Sequence, residues 1–556
     1  MKSRDSSDAA WMYPIAGVIL VYGALSMVFG AAVLVAADHA ALPTSNPLEL
    51  GSRVLWKGAN VTAVAPRASV LAFWLVVAVS ALTLGISALT IVRLKGRGQQ
   101  LSSAAGYASW RQTRDLVGHR RQQKASATEP ERCIHLGRDV RSHKLLTAPA
   151  EDSVVVVGPS RSGKTSRFVA PNVMQWPGPA VVTSTRPDVL DTTAEARPGP
   201  VCVYDPTNLL ENDPRSVGFD PLQGCNDQRV ARMRTLTLAN TAEIGSGVSN
   251  AGFWRDTCAA CLRVLFLAGA LGGQTIADVR RWIAGMDIRP AQAIFDQHPG
   301  AVPPDWRDEL TRHMTSPEKT RIAICQQMLT ALGALVDPEV MRISCPQTTG
   351  IPAFDAERFL AERGTVYILG TATEQAAIAP LISTFVENIV LHARRRAAAL
   401  PGRRLSPPLG LFLDEAANIA PLPTLPGLLS DGGSVGISTL AIFQSLHQAR
   451  ARWGRDAAEA MIDAAAVTLI LGGLRSPDDL AAWSRLLGEV DEQVRTVSRG
   501  SGGGGETLTP RTRPMMTVAQ IRTLTQFHAL LLYRGKPPIR VVLELPADSH
   551  QFRRSN

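Results

Sequence analysis

Eight consecutive residues, Gly158, Pro159, Ser160, Arg161, Ser162, Gly163, Lys164 and Thr165, carry the spacing G-x-x-x-x-G-K-T. A loop of this kind wraps backbone N–H groups around a phosphate, with the positive end of a helix behind them. In that arrangement Lys164 reaches the β- and γ-phosphates, and the Thr165 hydroxyl ligates Mg²⁺. A glycine-rich turn can match the pattern by chance, so the flanks decide. Ahead of it, residues 153–157 read Ser-Val-Val-Val-Val, a short β-branched run with the character of a buried strand. Behind it, Ser166 and the residues to 169 continue without Gly or Pro, as the first turns of a helix would. The expected chemistry is binding of a nucleoside triphosphate, ATP with Mg²⁺, by Gly158 to Thr165 and Ser166.

Hydrolysis needs more than a phosphate cradle. Residues 409–413 form an apolar strand that ends in Asp414-Glu415, and ligands of open α/β sheets bind at the carboxyl edge. Asp414 is expected to hold Mg²⁺ with Thr165, and Glu415 to orient and deprotonate the attacking water. An apolar strand ending in acids is a weak signal alone and a strong one beside the glycine loop. Gln444 ends the next strand-like run, 440–443, where an amide can contact both γ-phosphate and water. A strand-end Gln bonded to nearby backbone is the competing reading.

These residues need an α/β frame. Strand-like runs at 153–157, 180–184 and 201–205 alternate with helical or loop segments, which predicts a parallel sheet. The alternation then stops, and residues 226–346 carry helical patterning at 253–271, 275–286 and 319–335. Strands resume at 364–370, a long helix follows at 379–398, and further runs stand at 409–413, 439–443, 467–471, 529–533 and 539–543. The expected organisation is a nucleotide-binding domain made of 153–225 and 347–556, interrupted by an all-helical insertion at 226–346. Residues 125–152 read as a polar linker with a lead-in strand, and 498–506, rich in Gly and Ser, as a flexible loop.

At 556 residues the chain has length for two or three domains, and its mean hydropathy of +0.04 is high for a soluble enzyme. The cause lies near the N-terminus: residues 12–37 and 68–92 contain no charged side chain. Each is long enough at about 1.5 Å per residue to cross a bilayer core of about 30 Å. Arg93, Lys95, Arg97, Arg111, Arg114, Arg120, Arg121 and Lys124 follow, opposed only by Asp115. That bias keeps the segment 93–152 on the cytoplasmic side. The expectation is therefore a plasma-membrane anchor over 1–92, with an external loop at 38–67 and both termini in the cytoplasm. The same segment holds most of the formal net charge of +10, so the basic balance marks the lipid surface more than a broad nucleic-acid face. All seven cysteines lie beyond residue 130; Cys258 and Cys261 have C-x-x-C spacing but read as two buried helix cysteines.

The stretch Leu413-Asp414-Glu415-Ala416-Ala417-Asn418-Ile419-Ala420-Pro421, with Gly436-Ile437 and Phe443-Gln444-Ser445-Leu446-His447-Gln448, resembles the TraG/TraD type of type IV secretion coupling protein. Trp176-Pro177-Gly178-Pro179-Ala180, Ser184-Thr185-Arg186-Pro187-Asp188 and Phe219-Asp220-Pro221-Leu222 extend the likeness in the family's order. The resemblance implies a RecA-like P-loop NTPase with an inserted all-α domain, two transmembrane helices and a homohexameric ring. It also implies partners: a relaxase–single-stranded DNA complex, delivered by ATP hydrolysis to the inner-membrane components of the secretion channel. Two departures stand out. Arg186 occupies a position where many members carry Lys, and Gly432-Gly433-Ser434 occupies one where some carry Arg. The arginine that reaches a neighbour's γ-phosphate is thus left open, with Arg475 and Arg485 as candidates.

Two other readings remain. An FtsK- or HerA-like translocase shares the motor, but FtsK-like chains end in a DNA-reading domain and HerA-like chains lack membrane spans. A membrane receptor that binds ATP without mechanical work would not need Glu415.

Overall fold

The computed structural model describes residues 106–117, 134–242, 244, 250–371, 373–500 and 503–545. The expected membrane spans at 12–37 and 68–92, and the loop between them, lie outside those residues. Among the described residues one helix, Gln375–Ala399, is long and apolar enough to cross a bilayer, and 78% of its apolar window is buried in the protein core.

The strands in chain order are β1 (Ile134–Asp139), β2 (Leu145–Ala148), β3 (Val154–Val157), β4 (Ala180–Ser184), β5 (Val201–Tyr204), β6 (Thr365–Leu369), β7 (Leu409–Leu413), β8 (Ile437–Phe443), β9 (Val467–Leu471), β10 (Glu489–Gly500), β11 (Gly503–Pro514), β12 (His528–Tyr533) and β13 (Ile539–Val542). Eleven of them form one sheet in the order β2-β1-β13-β12-β9-β3-β8-β7-β4-β6-β5. From β9 to β5 every neighbouring pair is parallel. The parallel strands are covered on both faces, so they read as continuous apolar runs. In β3, Val155 and Val157 join one apolar cluster and Val154 and Val156 the other.

The sheet is mixed, where the alternating pattern predicted a parallel one. β12, β13, β1 and β2 extend its β9 edge by antiparallel pairing. Only a short turn joins β12 to β13, and parallel strands need a crossover of a dozen or more residues. The lead-in segment supplies two strands, β1 and β2, which pair with each other.

Between β5 and β6 the described residues contain no strand and a run of helices, from Gln228–Thr241 through Ala251–Leu271 and Glu318–Ala331 to Ala356–Ala361. The long helix Ala251–Leu271 is this block's core, and Cys258 and Cys261 are buried on it. Burial pushes both thiols up, Cys261 to about 12, so they stay protonated. The helix Ile276–Ala284 begins where Thr275 and Asp278 cap one another. Helices Arg289–Gln297 and Pro304–Met314, each with Pro at its start, were not among the helical segments expected from sequence, although each buries an apolar face, Ala291, Ile294 and Phe295 on the first and Leu310 and Met314 on the second.

One buried cation ties the helical block to the sheet domain. Arg234, 1% exposed, donates to the carbonyls of Pro221 and Gln223 and to Asn388 Oδ1 on Gln375–Ala399, and its guanidinium lies 5.2 Å from the Phe219 ring centre. Replacing Arg234 by Met takes the guanidinium from all three acceptors and leaves the Pro221 carbonyl with the Cys225 thiol at 3.5 Å. We expect a loss of about 2–4 kcal/mol of stability by denaturant unfolding; a loss below about 0.5 kcal/mol would show that the tie is dispensable.

The glycine-rich run at 498–506 is not a free loop. β10 and β11 pair antiparallel over their whole length, from Glu489 opposite Pro514 to Gly500 opposite Gly503. The ladder runs on into the glycines, with Arg499 opposite Gly504 and Gly500 opposite Gly503.

Candidate functional site

The carboxyl edge of the sheet brings the expected chemistry together. β3 leads into the loop, and the chain then turns into a π-helical stretch, Thr165–Val169, continued by the helix Ala170–Gln175. β7 carries Asp414 and Glu415 beyond its end, and β8 carries Gln444. β8 lies between β3 and β7. At about 4.8 Å per strand the loop and the acids are therefore roughly 10 Å apart along the edge, with Gln444 between them.

The helix after the loop reaches across that gap. The Thr165 hydroxyl donates to Asp414 Oδ2 at 2.5 Å. Lys164 is 6% exposed, and its ammonium donates to the Pro159 carbonyl at 2.7 Å. Ser162 donates to the same carbonyl at 2.7 Å. Burial pulls the pKa of Lys164 down, opposed by the charges of Asp414 and Glu415. Burial pushes that of Asp414, 5% exposed, up, opposed by the Thr165 hydrogen bond and by Lys164. A buried ammonium whose one hydrogen-bond acceptor is a neutral carbonyl is poised for an anion. Gly158 and Lys164 are buried, Pro159, Ser162, Gly163 and Thr165 partly so, and Ser160, Arg161 and Ser166 exposed.

The acids sit on a strained turn. Glu415 has φ 51°, the left-handed region, which costs a residue with a side chain about 1–2 kcal/mol. Four contacts hold it there. The Glu415 N–H donates to Asp414 Oδ1 at 3.1 Å, and the Ala416 N–H to the Ile442 carbonyl at 3.1 Å. The Glu415 carbonyl accepts from Asn418 N–H at 2.8 Å, and the buried Thr183 hydroxyl of β4 donates to the Asp414 carbonyl at 2.8 Å. The Glu415 carboxylate is partly exposed, and its Oε1 accepts from the Gln444 amide at 2.8 Å. Gln444 thus bonds a side chain, where the competing reading gave it backbone.

Thr183 was not singled out from sequence, since a Thr inside a strand carries no chemical signature. Thr183→Val is expected to lower kcat for ATP about tenfold while ATP affinity holds, because the acids shift and the cradle does not. Thr183→Ser should restore the rate; if Thr183→Val turns over normally, the turn does not depend on that bond.

On the other side of the loop lies a cavity of about 270 Å³, walled by residues 159–162, 471–473 and 524–528 with Arg522. Nothing in the sequence reading marked it, although Gly472-Gly473 directly after β9 was a usable sign. Arg475 follows that glycine pair and is exposed, as are Arg485, on the helix Pro477–Leu486, and Arg186, just beyond β4.

The atoms fit a magnesium triphosphate. Thr165 and Asp414 offer a hydroxyl and a carboxylate, hard oxygen donors of the kind Mg²⁺ takes, beside a loop whose lysine awaits an anion.

Residues 102–542 match the family model for type IV secretory system conjugative DNA transfer. The chain is similar to the conjugal transfer protein TraG of Agrobacterium fabrum (strain C58) and to that of Rhizobium radiobacter, 22% identical in each case over 411 residues, or 69% of this chain. It spans only 59% and 60% of the length of those relatives. In fold it is similar to the bacterial conjugative coupling protein TrwB. The TrwB complex with the ATP analogue ADPNP gives a TM-score of 0.55 at 18% identity, covering 79% of this chain and 93% of that one. The unbound form gives 0.53 at 20% identity, covering 72% and 87%.

Proposed function

This chain belongs to the type IV secretory system conjugative DNA transfer family, and from that premise we propose that it is a membrane-anchored ATPase that couples a relaxase–single-stranded DNA substrate to a secretion channel. The observation that carries the proposal is the meeting of Lys164, Thr165, Asp414, Glu415 and Gln444 at one sheet edge from three separate strands. A receptor that only binds ATP has no use for a carboxylate held on a strained turn with an amide beside it. TrwB has been solved with the ATP analogue ADPNP, with the GTP analogue GDPNP and with ADP and Mg²⁺, which supports a purine nucleotide with Mg²⁺ at this site.

The residues divide the work as follows. The backbone of Gly158 to Thr165 holds the phosphates, and Lys164 exchanges the Pro159 carbonyl for phosphate oxygens. Thr165 and Asp414 would hold Mg²⁺, which when bound neutralises charge on the phosphate oxygens. Glu415 takes the proton of the attacking water, and the Gln444 amide, bonded to Glu415 Oε1, fixes the carboxylate's direction. The energy released moves substrate through a homohexameric ring at the cytoplasmic face of the plasma membrane, the chain being anchored by the spans expected at 12–37 and 68–92.

The test uses the full chain in membranes. ATP hydrolysis should rise with single-stranded DNA, and cells carrying Glu415→Gln should lose DNA transfer to recipients. Normal transfer by that variant sinks the motor. Stimulation by duplex DNA alone, with no role in transfer, would favour the translocase reading.

A further inference from the structure

We propose that Glu387 and Trp453 are positioning residues for ATP hydrolysis, which clamp the segment 416–424 behind Glu415 and anchor it in the helical block. This rests on the hydrolysis reading above. The segment needs a clamp. Between Glu415 and the helix Leu425–Asp431 the chain forms no helix or strand, so no ladder fixes its course. Glu415 heads it on a left-handed turn, and a shift of the segment therefore moves the carboxylate that takes the water's proton.

Trp453 ends the helix Leu446–Trp453, which starts directly after Gln444 with Ser445 as its cap. Its indole N–H donates to the Leu422 carbonyl at 2.9 Å. Its ring meets Phe443 edge-on, with ring centres 6.0 Å apart. Phe443 precedes Gln444, so one side chain joins the strand end that carries the amide to the segment that follows the acid. Glu387 grips that segment two residues further on. Its Oε1 accepts from the Thr424 hydroxyl at 2.6 Å and from the Thr424 N–H at 3.3 Å. Glu387 is 2% exposed, on the helix Gln375–Ala399, whose buried residues are mostly apolar. Burying a carboxylate costs free energy that an apolar side chain does not. Stability alone thus favours an apolar residue at 387, and the hold on Thr424 accounts for the acid.

The neighbour of each clamp residue leads to one place. Asn388, next to Glu387, accepts from Arg234 at 2.7 Å, and Arg452, next to Trp453, donates to the Thr241 carbonyl. Arg234 and Thr241 both lie on the helix Gln228–Thr241 of the helical block. Two straps therefore run from one helix of the block to the segment behind Glu415, each through a pair of adjacent residues. Movement of that helix reaches the carboxylate without passing through the phosphate loop.

Turnover set against affinity separates positioning from packing. Trp453→Phe keeps an aromatic ring against Phe443 and drops the N–H. Glu387→Met drops the acceptor for Thr424, whereas Glu387→Gln keeps one, and Arg452→Met cuts the strap to Thr241. In the full-length protein, phosphate release should give kcat about tenfold lower for Trp453→Phe, Glu387→Met and Arg452→Met. Mg·ATP affinity by calorimetry should stay within twofold of wild type, and Glu387→Gln should restore the rate. If Glu387→Met does not fold, Trp453→Phe and Arg452→Met decide. Normal turnover in Trp453→Phe, or an affinity that falls in step with kcat, overturns the clamp. Normal turnover in Arg452→Met overturns its anchoring in the helical block. If the wild-type chain hydrolyses no ATP, the hydrolysis reading itself falls, and the clamp with it.

Discussion

Glu415→Gln is expected to cut ATP hydrolysis by about 10²–10⁴-fold, the range over which a positioned general base contributes, while ATP binding persists. The substitution keeps length and shape, and it can still bond the Gln444 amide now held by Oε1 at 2.8 Å. The left-handed backbone at 415 is stabilised by main-chain contacts and by Asp414, none of which the change removes. What disappears is the proton acceptor. Phosphate release under saturating Mg·ATP measures the loss, and calorimetry checks that affinity moves less than about threefold. Turnover within threefold of wild type would mean that the water is activated by another group.

Lys164→Ala should act on both binding and rate. The ammonium is the cation next to Asp414 and Glu415 in the cradle, and it is buried with one carbonyl as its acceptor. Removing a donor aimed at developing charge costs about 10²–10³ in rate, and losing the ground-state contact to the phosphates should weaken ATP binding at least tenfold. Because Lys164 and Glu415 act as a unit, the double variant should be no slower than the slower single variant, measured by the same phosphate release. Strictly multiplicative losses would show that the two act independently, against the site as drawn.

Much of this site was readable from the chain because its parts are local. The loop lies within eight residues, and its flanking strand and helix start are set by Val154–Val157 and the residues after Thr165. Asp414 and Glu415 announce themselves by ending a five-residue apolar strand. The strand at Thr365–Leu369 and the helix Gln375–Ala399 follow from runs of apolar side chains at the right spacing. Other elements gave no such sign. The ribbon of β10 and β11 was masked by its glycines, which read as a loop in sequence yet pair at the end of a ladder that begins with Glu489 opposite Pro514. The turn from β12 to β13 decides an antiparallel edge that strand propensity cannot express.

The sequence by itself singled out Lys164, Thr165, Asp414 and Glu415, each by its neighbours along the chain, and left Gln444 with two readings; all five meet at one sheet edge. Tertiary structure alone decided how they face one another. That β8 slots between β3 and β7, that Glu415 is turned left-handed under the grip of Thr183 and Ile442, and that a cleft opens toward Leu471 and Leu524 all depend on contacts between residues up to hundreds of positions apart. Local pattern fixes what a segment can do, because backbone and side-chain preferences act over a few residues. Long-range pairing fixes where it does it, because the order of strands is set by which apolar faces bury together when the whole sheet closes.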